Sequence, residues 1–281
     1  MKIVNILDEI ENVDPEIYER LSPRRKAMQE FFRVGSKVAI AAVPFGLGSM
    51  FNKAYGQTVP PGVIAVLQYA LTLEHFEARF YADGYNLAPI PAGAEKTAIQ
   101  IIRDSEAKHV SFLQQVIMGA GATPVAAKAT YDFTAMGTFP TVFTSYATFL
   151  AVAQVLEDTG VRAYKGRAGE LKGQKVYLTA ALGIHAVEAR HAAKIRYMRR
   201  VNGQAPTIKP YITGGNDTGI AAVNGNYGGA TPESNVIQAG INITSLPGIG
   251  GNISVNAATE AFDEPLTAAE VLALVAPFGV S

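Results

Sequence analysis

The chain contains no cysteine, and its formal charge at pH 7 is zero because 24 basic residues balance 24 acidic ones. The lack of thiols excludes thiolate metal sites, disulfide bonds and cysteine catalysis. With no net positive charge and no basic run interleaved with aromatic residues, the sequence gives no indication of nucleic-acid binding. The composition leaves open a metal site formed by carboxylates and imidazoles.

A short motif, Glu-x-x-His, occurs twice in the sequence. Glu106 and His109 form the first copy, and Glu188 and His191 form the second. Residues three apart lie on the same face of an α-helix, so each copy can direct a carboxylate and an imidazole at one point.

A glutamate and a tyrosine precede each copy of the motif at matched distances. Glu74 is followed by Tyr81, and Glu157 by Tyr164, in both cases seven residues later. Seven residues make about two helical turns, so each tyrosine lies on the face of its glutamate. The upstream glutamate precedes the motif glutamate by 32 residues in the first half and by 31 in the second. The pattern predicts one helix pair occurring twice.

Two helices with a glutamate and two with Glu-x-x-His are typical of a carboxylate-bridged dimetal site in a four-helix bundle. With these motifs, residues 60–200 resemble the ferritin-like superfamily, and within it bacterial ferritin-like-domain proteins related to plant desiccation-related proteins. Residues 262–266 share the resemblance more loosely. The resemblance implies an all-α, antiparallel four-helix bundle. The plainer alternative is a set of surface charges repeated by duplication.

The resemblance also implies a role for each ligand. Glu74 and Glu157 would be terminal ligands, Glu106 and Glu188 would bridge the two metals, and His109 and His191 would each bind one metal. Mixed carboxylate and imidazole ligands suit iron or manganese. Similar proteins oxidise two ferrous ions with dioxygen or hydrogen peroxide, so we expect two iron ions and a role in oxidative stress or iron handling.

Two other functions remain open at this point. A dimanganese catalase has a similar ligand set. In that case the site would hold two manganese ions in place of the two iron ions. A non-catalytic structural or desiccation-protective assembly protein is the third possibility. In each case a homo-oligomer, a dimer or small assembly, is the expected state.

Several further side chains are candidates for the site or its surroundings. Tyr81 and Tyr164 could hydrogen-bond to ligands across the bundle or donate electrons to the metals, or could be ordinary bundle residues with a polar tip. Glu77 lies three residues after the first upstream glutamate and could share the site, but the match between the halves does not select it. His185 is expected to support the site rather than bind metal, and His75 is expected at the surface.

The chain divides into three predicted parts, namely residues 1–59, 60–201 and 202–281. The bundle helices are predicted at 62–85, 94–118, 141–170 and 174–201, with an irregular crossover between the second and third. The third part is rich in Gly, Asn, Thr and Ser, and is predicted to be a mostly irregular extension with a hairpin, packed on the bundle or on another subunit. A capping box from Thr267 to Glu270 predicts a short closing helix.

The N-terminal part has features of an export signal. Arg24 and Arg25 precede a 14-residue apolar run, 38–51, and Ala54-Tyr55-Gly56 has the small-x-small form of a cleavage site. The run is too short for a comfortable membrane span. A twin-arginine signal would place the protein in the periplasm or cell envelope, and membrane association through an uncleaved N-terminus is possible. The alternative is a helical arm on a cytoplasmic protein.

Overall fold

The computed structural model describes residues 59–280, and four long helices form the centre of this region. They are α1 (Pro61–Leu87), α2 (Ala94–Gly119), α3 (Tyr146–Ala168) and α4 (Lys175–Val201). Helix α1 packs along α2, and α3 packs along α4. The predicted all-α four-helix bundle is confirmed.

Local sequence signals explain where these helices begin and end. Pro61 opens α1, where its missing N–H would have had no helical partner. Ser145 caps α3, its side chain accepting a hydrogen bond from the backbone N–H of Thr148. The predicted start of the third helix at Thr141 was therefore wrong, because Thr141 begins a turn in which Ser145 N–H bonds to the Thr141 carbonyl.

The crossover between α2 and α3 is held against the bundle by aromatic rings. Phe133 stacks on Phe76 of α1, with ring centroids 5.6 Å apart. Phe80 of α1 stacks in turn on Phe149 of α3 at 5.2 Å. The Phe149 ring occupies the space where a Cβ of Gly84 would lie. The crossover thus completes the hydrophobic core at one end of the bundle.

The C-terminal extension contains short elements joined by turns. Its helices are α5 (Asn224–Tyr227), α6 (Val255–Glu260) and α7 (Ala268–Val275). Two antiparallel hairpins pair β1 (Ile237–Gln238) with β2 (Ile241–Asn242), and β3 (Pro247–Gly248) with β4 (Gly251–Asn252). Single 3-10 turns occupy Ala221–Val223, Ile243–Ser245 and Ala276–Phe278 of the extension, and a further one, Gly169–Leu171, lies between α3 and α4. The capping box predicted for the last helix is present at Thr267 and Glu270.

One buried arginine of α3 holds this extension on the bundle. Arg162 Nε donates to the carbonyl of Glu264 at 2.8 Å, and Nη2 donates to the carbonyl of Gly228 at 2.8 Å. Its guanidinium also pairs with the carboxylate of Glu233 at 2.7 Å. These contacts hold the extension on the bundle, which was one of its two predicted locations.

The features predicted for residues 1–58 lie outside the described residues. Within residues 59–280, none of the helices combines the length and apolar character needed to cross a membrane.

Candidate metal centre

The six predicted ligands meet in the middle of the bundle. Glu74 comes from α1, Glu157 from α3, and the two Glu-x-x-His pairs from α2 and α4. All four glutamates are at most 1% exposed, and the two histidines are 7–8% exposed. The alternative of duplicated surface charges does not agree with this burial.

The donor atoms form two groups that share two carboxylates. The first group contains Glu74, Glu106, His109 and Glu188, and the second contains Glu106, Glu157, Glu188 and His191; within each group the donor atoms lie within 4.8 Å of one another. Sharing of Glu106 and Glu188 by both groups is the arrangement that two bridged metal ions would need.

Each imidazole directs its Nδ1 atom at the carboxylates. His109 Nδ1 lies 3.2 Å from Glu74 Oε2, 3.1 Å from Glu106 Oε2 and 3.2 Å from Glu188 Oε1. On the other side, His191 Nδ1 lies 2.7 Å from Glu106 Oε1 and 3.5 Å from Glu157 Oε2. The two rings are roughly parallel, with centroids 6.1 Å apart.

The hydrogen bonding of these carboxylates shows that the site suits cations. Both oxygens of Glu188, Oε1 of Glu106 and Oε2 of Glu157 are buried without a well-aligned hydrogen bond within residues 59–280. Buried polar atoms normally have such partners, and buried charges are normally paired or bound to metal. The residues present therefore fit a pair of metal ions.

The acid–base properties of the site follow from burial and mutual charge. Burial raises the pKa of Glu74 to about 7, against the opposing effect of His109. Burial and the charge of Glu106 raise the pKa of Glu188 well above its usual range. Burial opposes ionisation of Glu106 too, but hydrogen bonds and charge from both histidines lower its pKa to about 2. Burial disfavours the charged form of His191, but the neighbouring carboxylates raise its pKa to about 11. The protons held by the imidazole and by the carboxyl groups with a raised pKa must therefore leave before a metal binds.

The two tyrosines connect the halves of the bundle. Tyr81 of α1 donates a hydrogen bond to Glu157 Oε1 of α3 at 2.5 Å. Tyr164 of α3 donates to Glu74 Oε1 of α1, also at 2.5 Å. Burial, followed by the adjacent carboxylate charge, raises the pKa of both phenols well above the usual value. Each tyrosine therefore holds the carboxylate contributed by the other half.

A fifth buried carboxylate lies beside the six predicted ligands. Glu77 is 5% exposed, and burial raises its pKa well above normal, followed by the charges of Glu188 and Glu157. The corresponding position of the second half is Gly160, where a Cβ would lie 3.0 Å from Glu188 Oε2 and 3.3 Å from Glu77 Oε1. The sequence shows Glu77 on the correct face, but comparison of the halves set it aside because the second half has glycine there.

The other two histidines lie outside both donor groups. His185 is half-buried, with Nδ1 3.1 Å from the carbonyl of Val161, which places it beside α3. His75 was predicted at the surface, and this was wrong. It is 8% exposed, and its Nε2 lies 3.2 Å from the carbonyl of Val125, because the crossover covers this side of α1.

Comparison with known proteins agrees with the geometry. A family model described as a ferritin-like domain matches residues 62–200. Searches of curated proteins and of solved structures gave no match. The matched segment runs from the first turn of α1 to the last turn of α4 and includes all six predicted ligands. The chain is a member of the ferritin-like superfamily, with its ferritin-like domain at residues 62–200.

Proposed function

We propose that the protein is a diiron ferroxidase that oxidises ferrous ions with dioxygen or hydrogen peroxide. With peroxide, two ferrous ions each give one electron, the O–O bond breaks, and two protons are taken up to form two waters. With dioxygen, the same two electrons and two protons give hydrogen peroxide. The ferrous ions are the substrate, and their oxidation supplies the electrons for the reaction.

The sharing of Glu106 and Glu188 between two donor groups carries this proposal. Four carboxylates supply four negative charges, which equal the charge of two divalent ions. Carboxylate and imidazole donors suit first-row metals such as iron and manganese. Two adjacent sites within one buried pocket allow two one-electron donors to act on one oxidant molecule.

The side chains around the site have separate tasks in this reaction. Glu106 and Glu188 would hold the two ions together, while Glu74 with His109 and Glu157 with His191 would hold one ion each. Tyr81 and Tyr164 fix the orientation of the terminal carboxylates through the hydrogen bonds described above. Burial of every carboxylate keeps bulk water from the ligands and strengthens their interaction with cations.

Metal analysis tests this proposal most directly. Wild-type protein and a Glu106→Ala, Glu188→Ala double variant would be loaded with ferrous ion without oxygen, desalted and analysed. We expect about two iron ions per wild-type chain and fewer than one in the variant, because both bridging carboxylates are gone. An oxygen electrode then measures consumption after exposure to air. The exposed Glu170 on the bundle surface gives the control Glu170→Ala, which should bind and oxidise iron as wild type does.

The other results have definite meanings. If protein purified from its native host contains two manganese ions and releases oxygen from peroxide, its function is that of a dimanganese catalase and not of a ferroxidase. Failure of the wild-type chain to retain any metal would reject both redox functions and leave a structural or desiccation-protective role.

We also propose a homo-oligomer that works in the periplasm or cell envelope. Export is supported by the arginine pair and the apolar run in residues 24–51. Self-association is supported by Ile237, Ile241 and Ile249 of the hairpin segment, which are at least 52% exposed. Light scattering should give a mass above that of one chain. The Ile249→Asp variant should have a lower measured mass.

A further inference from the structure

An apolar cavity lies within the bundle, next to the candidate metal centre. Its volume is about 20 Å³, counted as the space open to the centre of a water-sized sphere. All four long helices contribute to its walls, with Leu67 from α1, Leu113 from α2, Ala163 from α3 and Ile184 from α4. The site geometry described above does not use this space.

Two wall residues connect the cavity with the metal ligands. Leu73 lines the cavity and directly precedes Glu74 in α1. Tyr164 also lines it, and its hydroxyl donates to Glu74 Oε1 at 2.5 Å. A molecule in the cavity would therefore be separated from the Glu74 end of the site by one layer of side chains.

The cavity also reaches towards the protein surface. Arg167 and Ala181 belong to its lining and are only half-buried, whereas Leu171 is completely buried. The lining thus extends from the partly exposed ends of α3 and α4 to the wall of the metal centre.

The size and chemistry of the cavity select its occupant. A space of about 10–15 Å³ by this measure holds one water molecule, so the volume admits one very small molecule and no organic substrate. A buried water needs two to four polar partners, and although Tyr69 and Arg167 belong to the lining, the walls present almost no polar surface to this space. Ferrous ions are excluded more strongly, because a charge in an apolar cavity loses its hydration without compensation. A small apolar gas molecule fits.

We propose that this cavity binds dioxygen and supplies it to the candidate metal centre. The inference rests on the proposed ferroxidase function, and it identifies dioxygen as the oxidant that reaches the site from inside the bundle. Ferrous ions would then reach the ligands by a separate, polar route.

Paramagnetic relaxation by dissolved dioxygen tests binding without any iron. Methyl-labelled, metal-free protein is equilibrated with dioxygen or argon, and methyl relaxation rates are compared by NMR. We expect dioxygen to increase the methyl relaxation rates of Leu113 and Ile184 several times more than that of Leu266, which is buried in the extension away from the cavity. Equal enhancement at all three residues would overturn the proposal.

A pair of matched variants tests the connection with the reaction. Ala181→Leu fills the half-buried end of the cavity, and Ala186→Leu makes the same change on an exposed position of the same helix. In Ala181→Leu, dioxygen should no longer enhance the methyl relaxation of Leu113 and Ile184 more than that of Leu266. The KM for dioxygen should rise severalfold, with the KM for ferrous ion unchanged. Ala186→Leu should behave as wild type. An unchanged KM for dioxygen in the filled variant would overturn the supply role.

The two proposals can fail separately. If wild-type protein does not oxidise ferrous ion, the proposed function fails and the supply role fails with it. The relaxation experiment still decides whether the cavity binds dioxygen, because it needs neither metal nor turnover.

Discussion

Replacing Glu188 by Gln should stabilise the metal-free protein while weakening its metal binding. Both carboxylate oxygens of Glu188 are buried without a well-aligned hydrogen bond within residues 59–280. Burial and the neighbouring carboxylates raise its pKa well above the usual value of 4.5. Glutamine has nearly the same shape and carries no charge, so it removes the electrostatic cost of this position and also removes a bridging ligand.

The size of the effect is limited by protonation. A buried glutamate at pH 7 can avoid its charge by remaining protonated, which costs about 1.4 kcal/mol per pH unit above its unfolded pKa, or about 3 kcal/mol in total. The unpaired amide of glutamine retains part of that cost. We therefore expect a gain of about 1–3 kcal/mol, which raises the melting temperature of a domain of this size by about 2–10 °C.

The sign of the pH dependence follows from the raised pKa. Between the unfolded and folded pKa values, the folded chain retains a proton that the unfolded chain has lost, so wild-type stability falls as pH rises. Below pH 4 the residue is protonated in both states and this contribution disappears. The advantage of Glu188→Gln should therefore be present at pH 7 and nearly absent at pH 4.

Calorimetry with and without metal provides the assay. Added ferrous or manganous ion under argon should stabilise wild type much more than Glu188→Gln, so that the order of melting temperatures reverses. The exposed control Glu170→Gln should stay within about 0.5 kcal/mol of wild type in every condition. A lower melting temperature for metal-free Glu188→Gln at pH 7, or equal stabilisation of both proteins by metal, would refute the reasoning.

Three further predictions concern neighbouring features. Gly160→Ala should weaken metal binding about 10–100-fold in a metal titration, because the alanine Cβ would lie 3.0 Å from Glu188 Oε2. Helix α3 should stay folded, because alanine favours a helix. Unchanged metal affinity would contradict this packing. Gly166→Ala should loosen the extension, because the new Cβ would occupy the space of the Leu266 carbonyl; limited proteolysis should then cut residues 222–280 faster, and equal cutting would refute the contact. Metal binding should release protons, because the carboxylates raise the pKa values of both site imidazoles; calorimetric heats should therefore depend on the buffer ionisation enthalpy, and buffer-independent heats would contradict this.

The buried cluster of six candidate ligands could be predicted because its residues repeat in the sequence at helical spacing. A carboxylate in the middle of an apolar helical face, such as Glu74 between Leu71 and Ala78, must be paired or bound to metal. The second copy then distinguishes this glutamate from its charged neighbours. The fold follows from the same residues, since four inward-facing ligand helices require a bundle.

The surroundings of α3 could not be predicted in the same way. Gln154, Asp158 and Arg162 recur every four residues, which on a helix is typical of a polar, solvated face. In the structure all three are at most 3% exposed, because Arg196 and Arg199 of α4 pair with Asp158 and Gln154, and the extension covers Arg162. The spacing of these residues does not show that a distant segment of the chain supplies hydrogen-bond acceptors to them. In the structure, the Asn226 carbonyl and the Glu233 carboxylate do so for Arg162.

Glu77 shows a different limit of reasoning from the sequence. The symmetry of the two halves identified the six candidate ligands, and it also set aside Glu77, a carboxylate beside the site that has no counterpart in the second half. Its place becomes understandable only when Gly160 is seen on the opposite helix, where the absence of a side chain leaves room for Glu77 and Glu188.

The enclosure of residues 149–164 of α3 has a consequence for how this protein can diverge among its relatives. Every residue from Phe149 to Tyr164 is buried, so this part of the helix has no surface on which substitutions would be neutral. Helix α2 keeps an outer face, with Ile101 and Met118 more than half exposed. Although the two halves carry equivalent ligands, selection acts on them unequally. An alignment of relatives that share the extension should therefore show α3 changing more slowly than α2, in positions far from the metal ligands as well as near them.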